Sequence, residues 1–346
     1  MRDNITGKSI LLIADPFYGY WMAIRDTLMT LGAKSVYFKQ APFYQGSLRD
    51  KISVCSLIAF LLNPRVRSKW TKSFIKELEG MKFDTLFVVE NMPFTKDFPD
   101  YLRHINPNIR CVLFLWDTLK TQQSRYVDFL PQFDKVYTFD RDDAARYNLN
   151  YYPDFYIEGN KVSIDECQYD LAFVGSMTHG ETKNRAKLVN YVSRFCKENN
   201  LSTYLYLKHY SYSDNVIRKI YQIIKDPSYY NIVMRYRNEG FLHERALPLS
   251  QFNSIMSDSR VILDISHPNR QGLTINAISA IACGKKLITT NKRICEETFY
   301  NPDMICVLDE KKPELDIRFF EKPYKPISLQ DQRIDNWIKY IVNENK

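Results

Sequence analysis

The chain has 346 residues, 45% of them hydrophobic, and a formal net charge of +8. That length suits two α/β domains, each with its own core. No run approaches the ~18 apolar residues of a spanning helix, and the seven cysteines are scattered without a C-x-x-C pair, which indicates neither a disulfide framework nor a zinc site and suits a reducing, cytoplasmic setting. The positive charge favours an acidic partner such as a nucleotide diphosphate or phospholipid head groups. Nucleic acid is not expected, because basic and aromatic residues form no interleaved recognition motif.

From the N-terminus, five apolar runs read as strands: SILLIA (9–14), SVYF (35–38), DTLFVVE (84–90), CVLFLWD (111–117) and KVYTFD (135–140). The segments between them are long enough for helices, which predicts a parallel, doubly wound sheet. The first run begins too early to leave room for a signal peptide. Ligands of such sheets sit at the carboxyl ends of strands, so Asp15, Pro16, Tyr18, Glu90, Asn91, Asp117 and Asp140 are the positions of interest. A site that takes a proton from its substrate needs a carboxylate within hydrogen-bond reach. Asp117 is the first choice for that base and Glu90 its rival; a helix cap or an ion pair is the structural alternative for either. Asp140-Arg141-Asp142 spells the D-x-D of metal-dependent sites, but DRDDAARY reads better as an N-cap followed by first-turn acids. Gly7-Lys8-Ser9 looks like the end of a P-loop, yet it lacks the upstream glycine and precedes its strand. Residues 51–76 join an apolar run to Arg65, Arg67, Lys69, Lys72, Lys76 and Trp70. This segment either rests on an anionic membrane surface or forms a core helix followed by a solvated basic one.

Between Tyr152 and Gln168 the periodicity is lost, which marks a linker. Tyr169 to Met177 then reads as a strand ending in Gly175-Ser176. Arg185 in the following helix and Lys208 at the end of STYLYLK could neutralise a diphosphate leaving group. The most informative stretch is Ser259 to Asn291. Arg260 to Ile265 is a short buried strand, closed by His267, Pro268 and Asn269. Gln271-Gly272-Leu273-Thr274 opens a helix running from about Leu273 to Cys283, with Ile275, Ile278, Ile281 and Ala282 on its apolar side and Gly284 placed to stop it. A helix N-terminus after a strand presents unpaired N–H groups and a positive dipole end, so Gly272 offers a diphosphate cradle. His267 either touches a ligand bound at this loop or is a structural hydrogen-bonder. The tail is an amphipathic helix with Ile334, Trp337, Ile338 and Ile341 on one side.

The stretch GLTINAISAIACGKKLIT (272–289) resembles the donor-site signature of GT-B glycosyltransferases, G-L-x-x-x-x-E-A-x-A-x-G-x-P-V-I, at Gly272, Leu273, Ala280, Ala282, Gly284 and Ile288, with one more residue here between the Leu and the position of the Glu. It departs at Ser279, where the family carries a Glu that hydrogen-bonds the donor ribose, and at Lys286, which replaces the Pro. The wider string LDISHPNRQGLT…GKKLITTNKR…FYNP is similar to a bacterial group of lipopolysaccharide and capsule glycosyltransferases. The resemblance implies a GT-B fold: two Rossmann-like α/β domains facing a cleft, an acceptor domain over 1–155, a nucleotide-sugar donor domain over 165–325, and a C-terminal helix over 326–346 crossing back to the first domain. It implies donor contacts from Gly175, Ser176, Gln271, Gly272, Leu273, Thr274 and the position of Ser279, with no metal or other cofactor. The implied reaction moves a sugar from a nucleotide-sugar donor to a glycan or lipid-linked acceptor. A nucleotide-sugar epimerase or hydrolase of the same fold, and a non-catalytic nucleotide-sugar-binding protein, are the alternatives.

Overall fold

In a computed structural model the described residues are 5–15, 19–40, 64–90, 92–119, 124–158, 163–177, 184–210, 212, 216–267 and 272–343. The chain divides into two units, Met1–Asp154 with Asp331–Lys346 and Phe155–Gln330.

The first unit runs β1 (Ser9–Ala14), α1 (Tyr20–Thr30), β2 (Ser35–Gln40), α2 (Pro64–Glu77), β3 (Thr85–Val89), α3 (Phe98–Ile105), β4 (Arg110–Leu115), β5 (Lys135–Thr138), α4 (Arg141–Tyr147) and β6 (Asn150–Tyr151). Its strands form one parallel sheet in the order β2-β1-β3-β4-β5-β6. All five expected strands are present. The two-residue β6 carries too few apolar residues to announce itself. Strands β1, β3 and β4 are almost wholly buried, which is why they read as continuous apolar runs instead of alternating ones. Asp140 caps α4, accepting from the backbone N–H of Asp142 and Asp143, so the D-x-D is a helix start. In α2, Trp70 packs 5.0 Å from the Phe74 ring against the core, whereas Arg65, Lys69, Lys72 and Lys76 are exposed. The apolar run before it, 51–63, lies outside the described residues, as do Pro16, Tyr18 and Asn91.

The second unit runs β7 (Tyr169–Ser176), α5 (Arg185–Glu198), β8 (Thr203–Lys208), α6 (Val216–Lys225), α7 (Pro227–Tyr236), β9 (Leu242–His243), α8 (Leu249–Ser257), β10 (Ser259–Asp264), α9 (Ile275–Ala282), β11 (Lys286–Thr289), β12 (Ile305–Val307) and α10 (Ile317–Glu321). Its parallel sheet has the order β12-β11-β10-β7-β8-β9. This is the 3-2-1-4-5-6 order of a dinucleotide-binding fold read from its other edge. Gly284, at φ 73, takes the left-handed turn that stops α9. The face that α9 buries is Ala277, Ile278, Ala280 and Ile281, with Ile275 and Ala282 only half-buried. Small alanines let the helix lie close on β10 and β11, which rotates the buried stripe away from the purely aliphatic one expected.

The chain then returns to the first unit as α11 (Ile334–Val342). Ile334, Trp337, Ile338 and Ile341 are all buried, as the amphipathic pattern predicted. Trp337 lies edge-on to Phe114 at 4.7 Å and donates its indole N–H to the carbonyl of Pro153. Arg110 closes the C-terminal end of α11 by donating to the carbonyl of Val342. Two parallel sheets with flanking helices make the α/β, doubly wound architecture that the sequence implied.

Candidate functional site

In each unit the chain leaves two neighbouring strands in opposite directions, and this switch point is where α/β sheets open a crevice for ligands. In the second unit the switch lies between β7 and β10. Asp264, the last residue of β10, is 8% exposed and organises the loop beyond it. One carboxylate oxygen accepts from the Thr274 hydroxyl at 2.9 Å; the other accepts from the Ser266 and Thr289 hydroxyls at 3.0 Å each. Two of these hydroxyls also accept a backbone N–H, Thr274 from Ala277 and Thr289 from Asn291. The Thr290 hydroxyl accepts from the Ser266 amide, and the Asn291 side chain donates to the carbonyl of Gly272 at 2.9 Å. The carboxylate therefore ties the end of β10, the N-cap of α9 and the end of β11 into one hub. Charge-assisted hydrogen bonds of this kind are worth roughly 1.5–3 kcal/mol each, enough to hold the start of α9 in one geometry. Thr274 takes up the N–H of Ala277; a helix cannot satisfy its first amides internally, and they lie at the positive end of its dipole.

The expected donor residues fall around this hub in different ways. Gly272 is buried with its carbonyl held by Asn291, Thr274 is the N-cap, and Ser279 lies half-buried one turn further along α9. Leu273 is buried in the apolar cluster with Ile278 and Leu287, so its side chain belongs to the core. His267 is half-buried just beyond Ser266, and Gln271 lies outside the described residues. At the end of β7, Gly175 makes room for the Phe173 ring: a Cβ there would stand 2.6 Å from the ring tip. Ser176 is exposed, and its carbonyl accepts from the Arg185 guanidinium at 2.6 Å, which pins the start of α5 to the end of β7. Lys208 is the register partner of Ser176 on β8, with its ammonium 5.5 Å over the Tyr210 ring. Asp264, Thr289 and Asn291 carry the architecture of the loop. A strand-end Asp followed by scattered Ser and Thr has no fixed spacing, so these residues form no sequence motif; their signal is the density of hydroxyl residues at the ends of β10 and β11.

The two departures from the donor signature have different fates. Lys286 is fully buried, donating to the carbonyls of Phe319 and Lys322 at 2.6 Å and of Phe320 at 3.3 Å. It closes the C-terminal end of α10, where a cation is favoured, and burial together with nearby Lys322 holds its ammonium down to about 8. Lys285 does the same for α8, donating to the carbonyl of Ser257 at 2.8 Å. Ser279 is a half-buried serine on α9.

In the first unit the switch lies between β1 and β3. Asp15 follows β1, Glu90 follows β3 and Asp117 stands beyond the end of β4. Glu90 is 4% exposed and adopts φ 68, the left-handed region that a non-glycine residue enters at a cost of about 1–3 kcal/mol. One oxygen, Oε2, accepts from the N–H of Trp116 at 2.5 Å and of Asp117 at 2.8 Å. The other, Oε1, is buried and has no hydrogen-bond partner among the described residues. Burial raises its proton affinity well above the ordinary carboxyl range; the Asp117 charge adds to this, the two amides oppose it, and Asp15 contributes a smaller upward push. Among the described residues no group of His, Cys, Asp and Glu is arranged to hold a metal ion.

No protein-family model and no curated protein sequence matches the chain. Solved structures do. The UDP-GlcNAc 2-epimerase from Neisseria meningitidis bound to UDP-GlcNAc is similar at 10% identity and TM-score 0.52, over 95% of this chain and 98% of that one. The enzyme of the same name from Methanocaldococcus jannaschii, in complex with UDP-GlcNAc and UDP, is similar at 10% identity and TM-score 0.51, over 96% and 99%. The N-terminal domain of Candida albicans trehalose-6-phosphate phosphatase is similar at 12% identity and TM-score 0.55, over 97% and 96%. At these identities the likeness concerns the fold, and the fold is GT-B, two Rossmann-like units in one chain.

Proposed function

We propose that this protein is a glycosyltransferase that moves a sugar from a nucleotide-sugar donor to a glycan or lipid-linked glycan acceptor of bacterial surface polysaccharide. The observation that carries the reading is the Asp264 hub. It holds an N-terminal helix turn rigid at a switch point, where backbone amides and a helix dipole stabilise the diphosphate as it departs with negative charge. The nucleotide sugars bound by the epimerases of the same fold belong to that ligand class. In the first unit, Glu90 is the proposed general base and Asp117 its neighbour. The acceptor hydroxyl attacks the anomeric carbon, the bond from that carbon to the phosphate oxygen breaks, and the hydroxyl proton passes to the Glu90 carboxylate. A base of raised proton affinity suits that role. The chemistry draws on no metal, so EDTA is expected to leave the rate unchanged.

Epimerisation is the second reading, and Glu90 favours it too, since a carboxyl that readily exchanges a proton also serves a reaction without an acceptor. The test is to incubate a panel of uridine, guanosine, adenosine and cytidine diphosphate sugars with and without glycan acceptors, following products by mass spectrometry and NMR. Transfer expects a longer glycan and turnover that depends on acceptor. A changed sugar formed without acceptor would replace transfer by epimerisation; binding without turnover across the panel would leave a nucleotide-sugar-binding protein.

A further inference from the structure

Helix α6 carries an apolar face that no described residue covers. Val216, Ile217, Ile220, Tyr221 and Ile224 are 69%, 79%, 52%, 64% and 72% exposed. Steps of one, three and four residues place all five on one side of a helix. The residues that turn toward the body of the unit are Gln222 and Ile223, both half-buried. The usual arrangement of a surface helix, with its apolar side inward, is thus reversed. Leaving a contiguous aliphatic stripe in water is unfavourable by roughly 25 cal/mol per Å², and a stripe of this size marks an interaction surface.

We propose that α6 is a docking helix for the surface of an anionic phospholipid bilayer. The charge on the helix selects this occupant: it holds Arg218, Lys219 and Lys225 and no acidic residue, and Lys219 and Lys225 are exposed. An apolar stripe of Val, Ile and Tyr bordered by cations is the composition of a helix lying in the interface, its aliphatic side chains among the acyl chains and its cations at the phosphates. A second copy of the chain is disfavoured, since pairing two such faces sets like charges against each other. The helix leaves the C-terminal end of β8, the same end of the sheet from which the Asp264 loop departs. A bilayer held by α6 therefore adjoins the end of the unit at which the donor is proposed to bind. The inference goes beyond the transfer reading and stands without it, because the contact is read as binding and not as turnover.

The experiment is flotation of the full chain with vesicles of phosphatidylglycerol and phosphatidylcholine, and with vesicles of phosphatidylcholine alone. The wild-type protein is expected to float with the anionic vesicles and not with the neutral ones, and to be released as salt is raised. Ile217→Glu with Ile224→Glu should weaken the partition at least tenfold with circular dichroism and thermal midpoint unchanged. A polar pair without added charge, Ile217→Ser with Ile224→Ser, should weaken it in the same direction. Lys69→Glu with Lys72→Glu on α2 should leave it intact. Failure of the wild type to float, partition undiminished by the α6 changes, or partition lost only in the α2 variant would each overturn the proposal. So would an oligomer that the α6 changes convert to monomer while vesicle binding persists.

Discussion

The two units share a parallel six-stranded plan yet treat the carboxylate at their switch points in opposite ways. Asp264 in the second unit accepts three hydroxyl hydrogen bonds, one at one oxygen and two at the other. Glu90 in the first is held by two amides on a single oxygen, with strained backbone and its second oxygen buried without a partner among the described residues. A satisfied carboxylate is a brace: its free energy is already spent on holding a loop. An under-satisfied, proton-hungry carboxylate is poised for chemistry. Burial alone does not distinguish them, since both are nearly inaccessible; the number and kind of donors does.

Substitutions sharpen that contrast, and the largest effect is expected at Glu90. Glu90→Gln keeps the acceptor for Trp116 and Asp117 but removes the titrating proton. Turnover should fall by about 10²–10⁴-fold, with nucleotide affinity almost unchanged by calorimetry. Its pH signature has a definite sign. Because the folded state holds the proton more tightly than the unfolded chain, Glu90 lowers stability as pH rises above its ordinary value of 4.5. The Gln variant should therefore melt higher than wild type at neutral pH and track it near pH 4. A variant that melts lower at pH 7 would break the distinction drawn between the two acids.

Asp264→Ala should do the reverse, destabilising the second unit by about 3 kcal/mol and abolishing thermal stabilisation by nucleotide diphosphates. If the variant binds nucleotide as well as wild type does, the hub is not what positions the donor. Lys286→Met leaves three helix-terminal carbonyls without their donor, an expected loss of about 1–3 kcal/mol in denaturant unfolding, with turnover per folded molecule unaltered. The smallest effect is a gain. Ser279→Glu supplies the acid that the donor signature carries, and a charge-assisted bond to a ribose hydroxyl should tighten nucleoside diphosphate binding by roughly 1.5 kcal/mol, about tenfold. A dideoxyribose analogue should show no such gain.

Strands β1, β3, β4 and β10 are legible in the sequence because parallel strands buried on two faces leave nearly unbroken apolar runs, whereas the short β9 and β12 are not, and α11 is legible because Trp337 and three isoleucines repeat at helical spacing. The Asp140 cap was readable from its own first turn. What could not be read depends on convergence in space. Asp264, Thr274 and Thr289 are separated by 10 to 25 positions and meet only when β10 and β11 pair. Lys286 in place of the Pro is a departure from the donor signature in the sequence, and only the fold shows that its ammonium reaches carbonyls more than thirty residues away. Glu90 was named as a candidate base, but its strained backbone and single-sided amide contacts are properties of the folded turn. The buried stripe of α9 was misjudged by one position of rotation, since apolar periodicity registers side-chain size less well than the close approach that alanine allows.

The position of α11 sets an order of events during synthesis. Its binding place on the first sheet, lined by Phe87 and Phe114, is built from the first third of the chain, but its occupant follows the whole of Phe155–Gln330. The whole second unit is synthesised while the first still lacks Trp337, which leaves the Phe87 and Phe114 surface without its cover. The N-terminal unit is made first and finished last. The Tyr152 hydroxyl, which donates to the Asp331 carbonyl at 3.1 Å, then clasps the outgoing and returning segments side by side. The Phe87 and Phe114 surface stays uncovered for as long as Phe155–Gln330 takes to be made, and this is the interval in which chaperones and proteases can reach it.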